Sequence, residues 1–372
     1  MADRFRKLLE PLETDEFWAR YWGREHLHLR RDGAEYDSCL RIEDLDILLQ
    51  SGQLPAAFLN VVTDGVLHPV EEWSRIRDSA RGSDRVIQPE RLFDFYLKGA
   101  TLILNQAHHS IPRLAELCRQ LAVEMGFPVH ANIYITPPAA QGFALHTDYH
   151  EVFVLQIGGA KCWRLVPAGD AAGIRIEMRA GDLLYIPRGL PHEAISQDSS
   201  SIHVTLGFYA VYPFELLTDL AAKAGSDSRF QQPFTPGKDA DERGFQNAVT
   251  ELLGETTAAE MRSLRFGTFV KEQAPGWPGR LSDVLGLTGI TLETVVCARP
   301  GIARKVTKAG KSIEVEFAEQ KLTVPAFMGK CLDRMLTGEP FATKELQGMI
   351  TDSGRIELVK KFVQAGFLTL SR

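Results

Sequence analysis

Residues 146 to 192 contain the side chains with the clearest chemical potential. The segment reads His146-Thr147-Asp148, then an apolar run, then Gly181-Asp182-Leu183-Leu184-Tyr185-Ile186-Pro187 and Pro191-His192. Two neutral imidazoles and one carboxylate can close on one face of a divalent ion. Such a set suits Fe(II) and leaves coordination positions open for other ligands; a closed four-ligand site does not. An HxD tripeptide alone is a weak signal. Here it follows an expected strand and a loop containing Gly142. Residues i and i+2 of a strand share a face, so His146 and Asp148 can point the same way. His192 follows after a turn, a strand and a proline-rich corner, completing a candidate metal triad of His146, Asp148 and His192.

The elements that must position this triad lie between residues 131 and 208. Strands are expected over Asn132–Thr136, Val152–Ile157, Lys161–Val166, Leu183–Ile186 and Ile202–Phe208. Pro137-Pro138, Gly158-Gly159, Ala180-Gly181-Asp182 and Pro187-Arg188-Gly189 separate them as turns. Short strands at this spacing read as a barrel or sandwich, and a cupin-type jelly roll fits best. Lys161 opens one strand after Gly158-Gly159. It is either an inward cation for an acidic ligand or an exposed hairpin lysine, since inward lysines are rare unless paired. His150 is read as a mouth-lining or solvated loop residue, and His203 as packing beside the site. His26, His28, His68, His108, His109 and His130 are read as structural or surface residues outside the barrel.

Outside the barrel, Glu16–Trp22 has helical spacing and His26–Leu29 alternates like a strand. Ser110–Gly126 reads as a helix with Pro112 near its start and Gly126 at its end. Helices are expected near Phe214–Leu220 and over Ala248–Leu264, with a loop over Ser226–Gly244 and a linker over Gln273–Gly279. The last ninety residues read as a small α+β module. It has a strand at Ser312–Phe317, helices at Pro325–Leu336, Thr343–Ile350 and Arg355–Ala365, and a strand at Gly366–Leu370. Helix, turn, helix and hairpin form a winged-helix pattern.

The net charge of −6 over 372 residues argues against a dedicated nucleic-acid binder. From residue 301 onward there are 12 Lys/Arg against 8 Asp/Glu, but Thr343–Ile350 carries a single Lys. Direct nucleic-acid binding is therefore not expected. Five scattered cysteines without a CxxC pair point to a reducing compartment. A charged start and the lack of any long apolar stretch lead to an expected cytoplasmic protein with no membrane partner.

The residues that carry a resemblance are Asn132-Ile133-Tyr134-Ile135-Thr136-Pro137, His146-Thr147-Asp148, Glu151 to Gln156, Trp163-Arg164, and Gly181-Asp182 through Pro187-Arg188-Gly189-Leu190-Pro191-His192. They resemble the JmjC-type ribosomal oxygenases, which use Fe(II), 2-oxoglutarate and dioxygen to hydroxylate side chains of ribosomal proteins. The resemblance implies an α+β chain of three parts. Residues 1–210 would be a JmjC/cupin double-stranded β-helix with N-terminal α/β elements, 211–280 a helical dimerisation region and linker, and 281–372 a winged-helix-like domain. It implies that His146, Asp148 and His192 hold iron and that Lys161 binds the far carboxylate of 2-oxoglutarate. Asn132, Tyr134 and Thr205 then contact cosubstrate or substrate. The partners implied are a ribosomal protein or other peptide and a second copy of the chain. Three positions depart from the family's branches. Lys161 differs from the arginine-hydroxylating branch, whereas Tyr149 and Gly207 differ from the histidine-hydroxylating one, so His and Arg both stand as targets. Two alternatives are JmjC-type N-demethylation and a non-catalytic metal-binding cupin regulator that uses its winged helix on DNA.

Overall fold

The structure is a computed structural model. It describes residues 4–371 except 32, 34, 35, 37, 81, 236–238 and 274–276. The chain divides into two compact units, Met1–Tyr209 and Ala210–Arg372.

Among its described residues the first unit contains thirteen strands: β1 (Leu27–Leu29), β2 (Leu59–Thr63), β3 (Val66–Leu67), β4 (Ser74–Ser79), β5 (Gly82–Ile87), β6 (Thr101–Leu104), β7 (Val129–Thr136), β8 (Glu151–Gly158), β9 (Ala160–Leu165), β10 (Ile174–Arg179), β11 (Leu183–Ile186), β12 (His192–Ser196) and β13 (Ser201–Phe208). Eight of them make a sheet in the order β1-β11-β8-β13-β7-β6-β2-β3. A second sheet has the order β10-β9-β12, and β4-β5 is a separate hairpin. Every pairing is antiparallel.

The sequence explains how the two sheets differ. The stretch Glu-Val-Phe-Val-Leu-Gln of β8 is buried on both faces. It sits between β11 and β13, so its apolar run is continuous rather than alternating. The strand β9 alternates instead, with Lys161, Trp163 and Leu165 buried and the residues between them partly exposed. Between the sheets, Val152, Val154 and Leu184 pack with Trp163, Leu165, Ile176, Met178 and Ala194. On the other face of the large sheet Phe153 meets Tyr185 at 4.9 Å and Phe208 at 4.9 Å, and Phe17 joins at 5.0 Å from Tyr185. Each such fully buried side chain contributes about 1.5–3 kcal/mol of transfer free energy. This is the jelly-roll barrel expected from the strand spacing. The turn between β8 and β9 needs glycine at residue 159. Its φ is +67°, and a Cβ there would stand 1.8 Å from the Ser200 carbonyl oxygen.

Several expected elements appear nearly as read. Leu183–Ile186 and Ser312–Phe317 are strands, and Pro112–Met125 is a helix closed by Gly126. Of the expected helix Glu16–Trp22, Glu16 ends a short α-turn and Phe17–Tyr21 takes the wider π form. The strands β10, β12, β6 and β2 lay outside the expectation.

In the second unit the helix expected over Ala248–Leu264 is two helices, Asp239–Glu255 and Ala258–Glu272. The break is a capping box. Thr257 Oγ1 accepts from the Glu260 amide at 3.1 Å, and the Glu260 carboxylate accepts from the Thr257 amide at 2.8 Å. The expected loop Ser226–Gly244 holds a turn at Ser228–Phe230 and the start of the helix at Asp239; residues 236–238 lie outside the described set. Three residues of the expected linker Gln273–Gly279, 274–276, also lie outside it.

The helix expected over Thr343–Ile350 is only a 3-10 turn, Thr343–Glu345. Gly348 has φ +140°, which no helix accommodates. The Leu346 carbonyl accepts from Arg355 Nε at 2.8 Å, and the Gln347 carbonyl from Cys331 Sγ at 3.1 Å. These contacts occupy acceptors that a helix would use. The neighbouring helix spans Gly329–Leu336 after a turn at Ala326–Met328, and the last one spans Asp352–Ala365. Ser312–Phe317 is the centre of a three-stranded sheet with Lys305–Ala309 and Gln320–Pro325. Val295–Ala298 pairs with Phe341–Ala342 and Leu368–Leu370 in another.

Candidate metal centre and cosubstrate cleft

His146 and His192 face each other as a bridge outside the long strands. The His146 amide donates to the His192 carbonyl at 3.1 Å, and the reverse bond is 2.8 Å. Both rings are then fixed the same way. His146 Nδ1 contacts the Ala144 carbonyl at 2.8 Å, and His192 Nδ1 the Leu190 carbonyl at 2.9 Å. A carbonyl only accepts, so each Nδ1 carries the proton and each Nε2 presents its lone pair. Asp148 Oδ2 lies 3.6 Å from His192 Nε2, and the ligand atoms of all three residues lie within 4.8 Å of one another. Burial lowers the His192 imidazole below its ordinary pKa and favours the neutral form that a metal needs.

The corner between Asp148 and His192 is tied down from both sides. The Gly189 amide donates to the Asp148 carbonyl at 3.0 Å. Glu151 is buried and accepts from the Arg188 amide at 3.2 Å and from the Tyr185 hydroxyl. The Tyr185 hydroxyl itself accepts from the Gly23 amide at 2.7 Å. The Pro187-Arg188-Gly189 turn is thereby held in one geometry.

Behind the triad lies a cleft of ≈ 570 Å³, its open mouth included. Asn132, Tyr134, Phe143, His146, Asp148, His150, Lys161, Trp163, His192, His203 and Thr205 all line it. Every site residue expected from the sequence is therefore in one place. Lys161 is inward and only 2% exposed. Its Nζ donates to Thr136 Oγ1 at 3.0 Å. Burial pulls its ammonium down to about 7. The pairing of β9 with β12 sets Lys161 opposite Ser196 and Leu165 opposite His192. Four residues of strand thus separate the lysine from the triad, about 13 Å of rise.

His203 is 1% exposed and stacks face to face on Tyr134 at 4.6 Å and 6°. Trp163 meets it edge-on at 5.5 Å. Burial holds the His203 imidazole well below its usual value. Neither His203 Nδ1 nor Trp163 Nε1 has a hydrogen-bond partner among the described residues. Tyr134 bonds side chain to side chain with Thr205, and burial followed by Asp148 raises its phenol. Asn132 Oδ1 accepts from the Gln106 amide at 2.9 Å, so this side chain also holds a loop. Glu193 lines the cleft but is paired with Arg164 at 2.6 Å.

Two histidines were misplaced by the sequence reading. His130 is on β7, not outside the barrel, and shares its face with Asn132 and Tyr134. His28, on β1, pairs with Asp182 at 3.2 Å. The signal for His130 was present, because the strand alternation extends two residues further back than Asn132. Trp163, Phe143 and Thr136 also line or support the cleft without having been singled out. For Trp163 the alternation Lys161-x-Trp163 was the available sign.

A jelly-roll barrel with two imidazoles and a carboxylate at its mouth defines the class, and comparison with known proteins agrees. A family model described as the JmjC domain matches residues 103–175 and 169–216. That part of the chain is a JmjC domain, and the chain is related to the ribosomal oxygenases. NO66 of Dictyostelium discoideum, named a bifunctional lysine-specific demethylase and histidyl-hydroxylase, is 30% identical over 223 residues, 54% of this chain and 42% of that protein. Ribosomal oxygenase 1 of Gallus gallus is 31% identical over 230 residues, 56% of this chain and 37% of that protein. The chain thus spans less than half the length of these relatives. Among solved structures, YcfD, a ribosomal oxygenase from Escherichia coli in complex with cobalt and 2-oxoglutarate, aligns over 97% of this chain and 99% of that one. Its TM-score is 0.59 at 18% identity, a likeness of fold.

Proposed function

We propose that this protein is an Fe(II)- and 2-oxoglutarate-dependent dioxygenase that hydroxylates a histidine or arginine side chain of a ribosomal protein or other peptide. The observation that carries the reading is the convergence of His146, Asp148 and His192 in one cleft with a buried lysine. His146 Nε2, His192 Nε2 and an Asp148 oxygen would hold the iron. Bound there with 2-oxoglutarate and dioxygen, iron supplies an oxidant able to attack an unactivated C–H bond, with succinate and CO2 as coproducts.

The chain's own residues do the rest. Lys161 offers a cation for the distal carboxylate of the cosubstrate, with Thr136 orienting its Nζ. An arriving carboxylate favours the ammonium, so binding draws the lysine back toward its charged form. Trp163 Nε1 and His203 Nδ1 are buried polar atoms that a bound ligand could satisfy. Tyr134 and Trp163 wall the cleft and exclude water. The relatives' printed names support a ribosomal substrate. The second unit exposes Leu217 and Leu264 on its helices, each over 60% accessible, which suits a homodimer through them. Among the described residues no helix is long and apolar enough to cross a membrane. The segment Thr343–Ile350, whose single Lys counts against a DNA-reading role, begins with a 3-10 turn.

The test is 2-oxoglutarate turnover. His146→Ala and Asp148→Ala are expected to abolish succinate formation in the purified protein supplied with Fe(II). Undiminished succinate from either variant would end the oxygenase reading. The substrate is then sought by mass spectrometry, as a one-oxygen gain on ribosomal or other peptides that is lost when the gene is deleted.

A further inference from the structure

Two of the three metal-binding residues lean on one turn, residues 187–190. Its Gly189 amide donates to the Asp148 carbonyl at 3.0 Å. Its Leu190 carbonyl accepts from His192 Nδ1 at 2.9 Å and so sets the ring. The Leu190 amide closes the turn on the Pro187 carbonyl at 3.2 Å. The placement of Asp148 and His192 therefore depends on what fixes this turn. On β8, Val152 stands opposite Ile186, so Glu151 lies beside the entry to the turn. Glu151 is buried, and its Oε2 accepts from the Arg188 amide at 3.2 Å.

The same oxygen reaches a part of the chain far away in sequence. Glu151 Oε2 also accepts from the Tyr185 hydroxyl, which in turn accepts from the Gly23 amide at 2.7 Å. Gly23 has φ +67°, a left-handed conformation that glycine adopts without strain. A Cβ there would stand 3.8 Å from Glu151 Oε1, so this backbone lies against the carboxylate. The element that delivers Gly23 contains the π turn Phe17–Tyr21, a form frequent at functional sites. Phe17 meets the Tyr185 ring edge-on at 5.0 Å, and Trp22 lies parallel to it at 6.1 Å and 13°. An unbroken set of bonds thus runs from Gly23 through Tyr185 and Glu151 to the turn behind two of the ligands.

We propose that Glu151 and Tyr185 are positioning residues that couple the N-terminal aromatic element, residues 17–23, to the metal site. The inference rests on the reading of His146, Asp148 and His192 as the ligands of an oxygenase iron. Groups that hold metal ligands in place change metal affinity about 10–100-fold when removed. A carboxylate suits the position, because one of its oxygens can accept two donors and an ionised acceptor makes the stronger bonds. The coupling is reciprocal: what the element contributes to metal binding, a bound metal returns as stabilisation of the element.

The test titrates the metal-free full chain with cobalt(II) and follows its visible absorption. Glu151→Ala is expected to weaken cobalt binding about 10–100-fold, and Tyr185→Phe about tenfold. Glu151→Gln keeps an acceptor oxygen and should lose only a few-fold. Leu92→Ala, at a buried position away from these bonds, controls for lost stability and should leave the affinity unchanged. In the wild type, cobalt(II) is expected to slow hydrogen exchange in the segment containing Gly23, read by mass spectrometry, and Tyr185→Phe to abolish the slowing. Unchanged affinity in Glu151→Ala or Tyr185→Phe, an equal loss in Leu92→Ala, or no slowing at Gly23 in the wild type overturns the coupling. So does a loss in Glu151→Gln equal to that in Glu151→Ala, which would assign the effect to charge alone. If Glu151→Ala has no melting transition, Tyr185→Phe decides. Succinate formation by the wild type with Fe(II) and 2-oxoglutarate is measured alongside. Its absence with the affinity pattern intact overturns the oxygenase reading and leaves the coupling standing.

Discussion

Each unit buries a cation, and the two are treated in opposite ways. In the second unit Arg299 is 6% exposed and fully engaged. It forms an ion pair with Asp283, 3% exposed, and donates to the Gly366 carbonyl at 3.1 Å and the Pro278 carbonyl at 2.5 Å. Asp283 accepts in turn from Thr369 Oγ1 and the Leu370 amide, both at 3.1 Å. In the first unit Lys161 has one hydroxyl partner, and desolvation is the cause of its depressed pKa. A buried charge costs several kcal/mol unless its partners are supplied. Arg299 has its partners inside the protein and reads as structure. Lys161 has a shortage that an acidic ligand can make good, and reads as a binding group.

The strongest way to break this contrast is to strand a charge in the second unit. Arg299→Met leaves Asp283 buried without its cation and is expected to cost about 3–5 kcal/mol in urea unfolding. Replacing both members by apolar residues should recover most of that loss. A single variant as stable as the wild type would show that the pair does not hold the unit together.

Lys161→Met is expected to do the reverse. Without ligand it should stabilise the protein by on the order of 1–3 kcal/mol, since it removes an unpaid desolvation. It should also sharply weaken 2-oxoglutarate binding. The pH dependence gives a second reading. The folded-state pKa, about 7, lies below the ordinary lysine value of 10.5. Between those values the unfolded chain binds more protons, so stability rises with pH across that window. The penalty is complete below about 7 and gone above about 10.5. This slope should vanish in Lys161→Met; an unchanged slope would place its origin elsewhere. The smallest effect belongs to Thr136→Val. Loss of the one hydroxyl partner should cost about 1 kcal/mol and weaken 2-oxoglutarate binding only a few-fold, measured by titration. A loss as large as that of Lys161→Met would show Thr136 to be more than an orienting partner.

Much of the site was legible because its parts follow strand logic. The HxD tripeptide with its distant histidine marked the triad, whereas spacing alone left Lys161 open between an inward and an exposed position and the Lys161-x-Trp163 alternation went unread. The barrel was legible from turn residues between short strands. What failed had local reasons. The helix read through Ala248–Leu264 ignored the Thr257-x-x-Glu260 capping box. The helix read over Thr343–Ile350 does not form, because Gly348 and side chains from Cys331 and Arg355 hold that backbone otherwise. His130 was set aside because the strand was started two residues late.

The sequence alone determined which residues could bind a metal and which strand faces could carry them, because side-chain type and period are local properties. Only the tertiary structure decided that Lys161 lies buried with one hydroxyl partner and that both Nδ1 atoms of the triad bond to carbonyls. Those facts depend on what stands opposite each residue. Register between strands distant in sequence sets that, and no single strand encodes it.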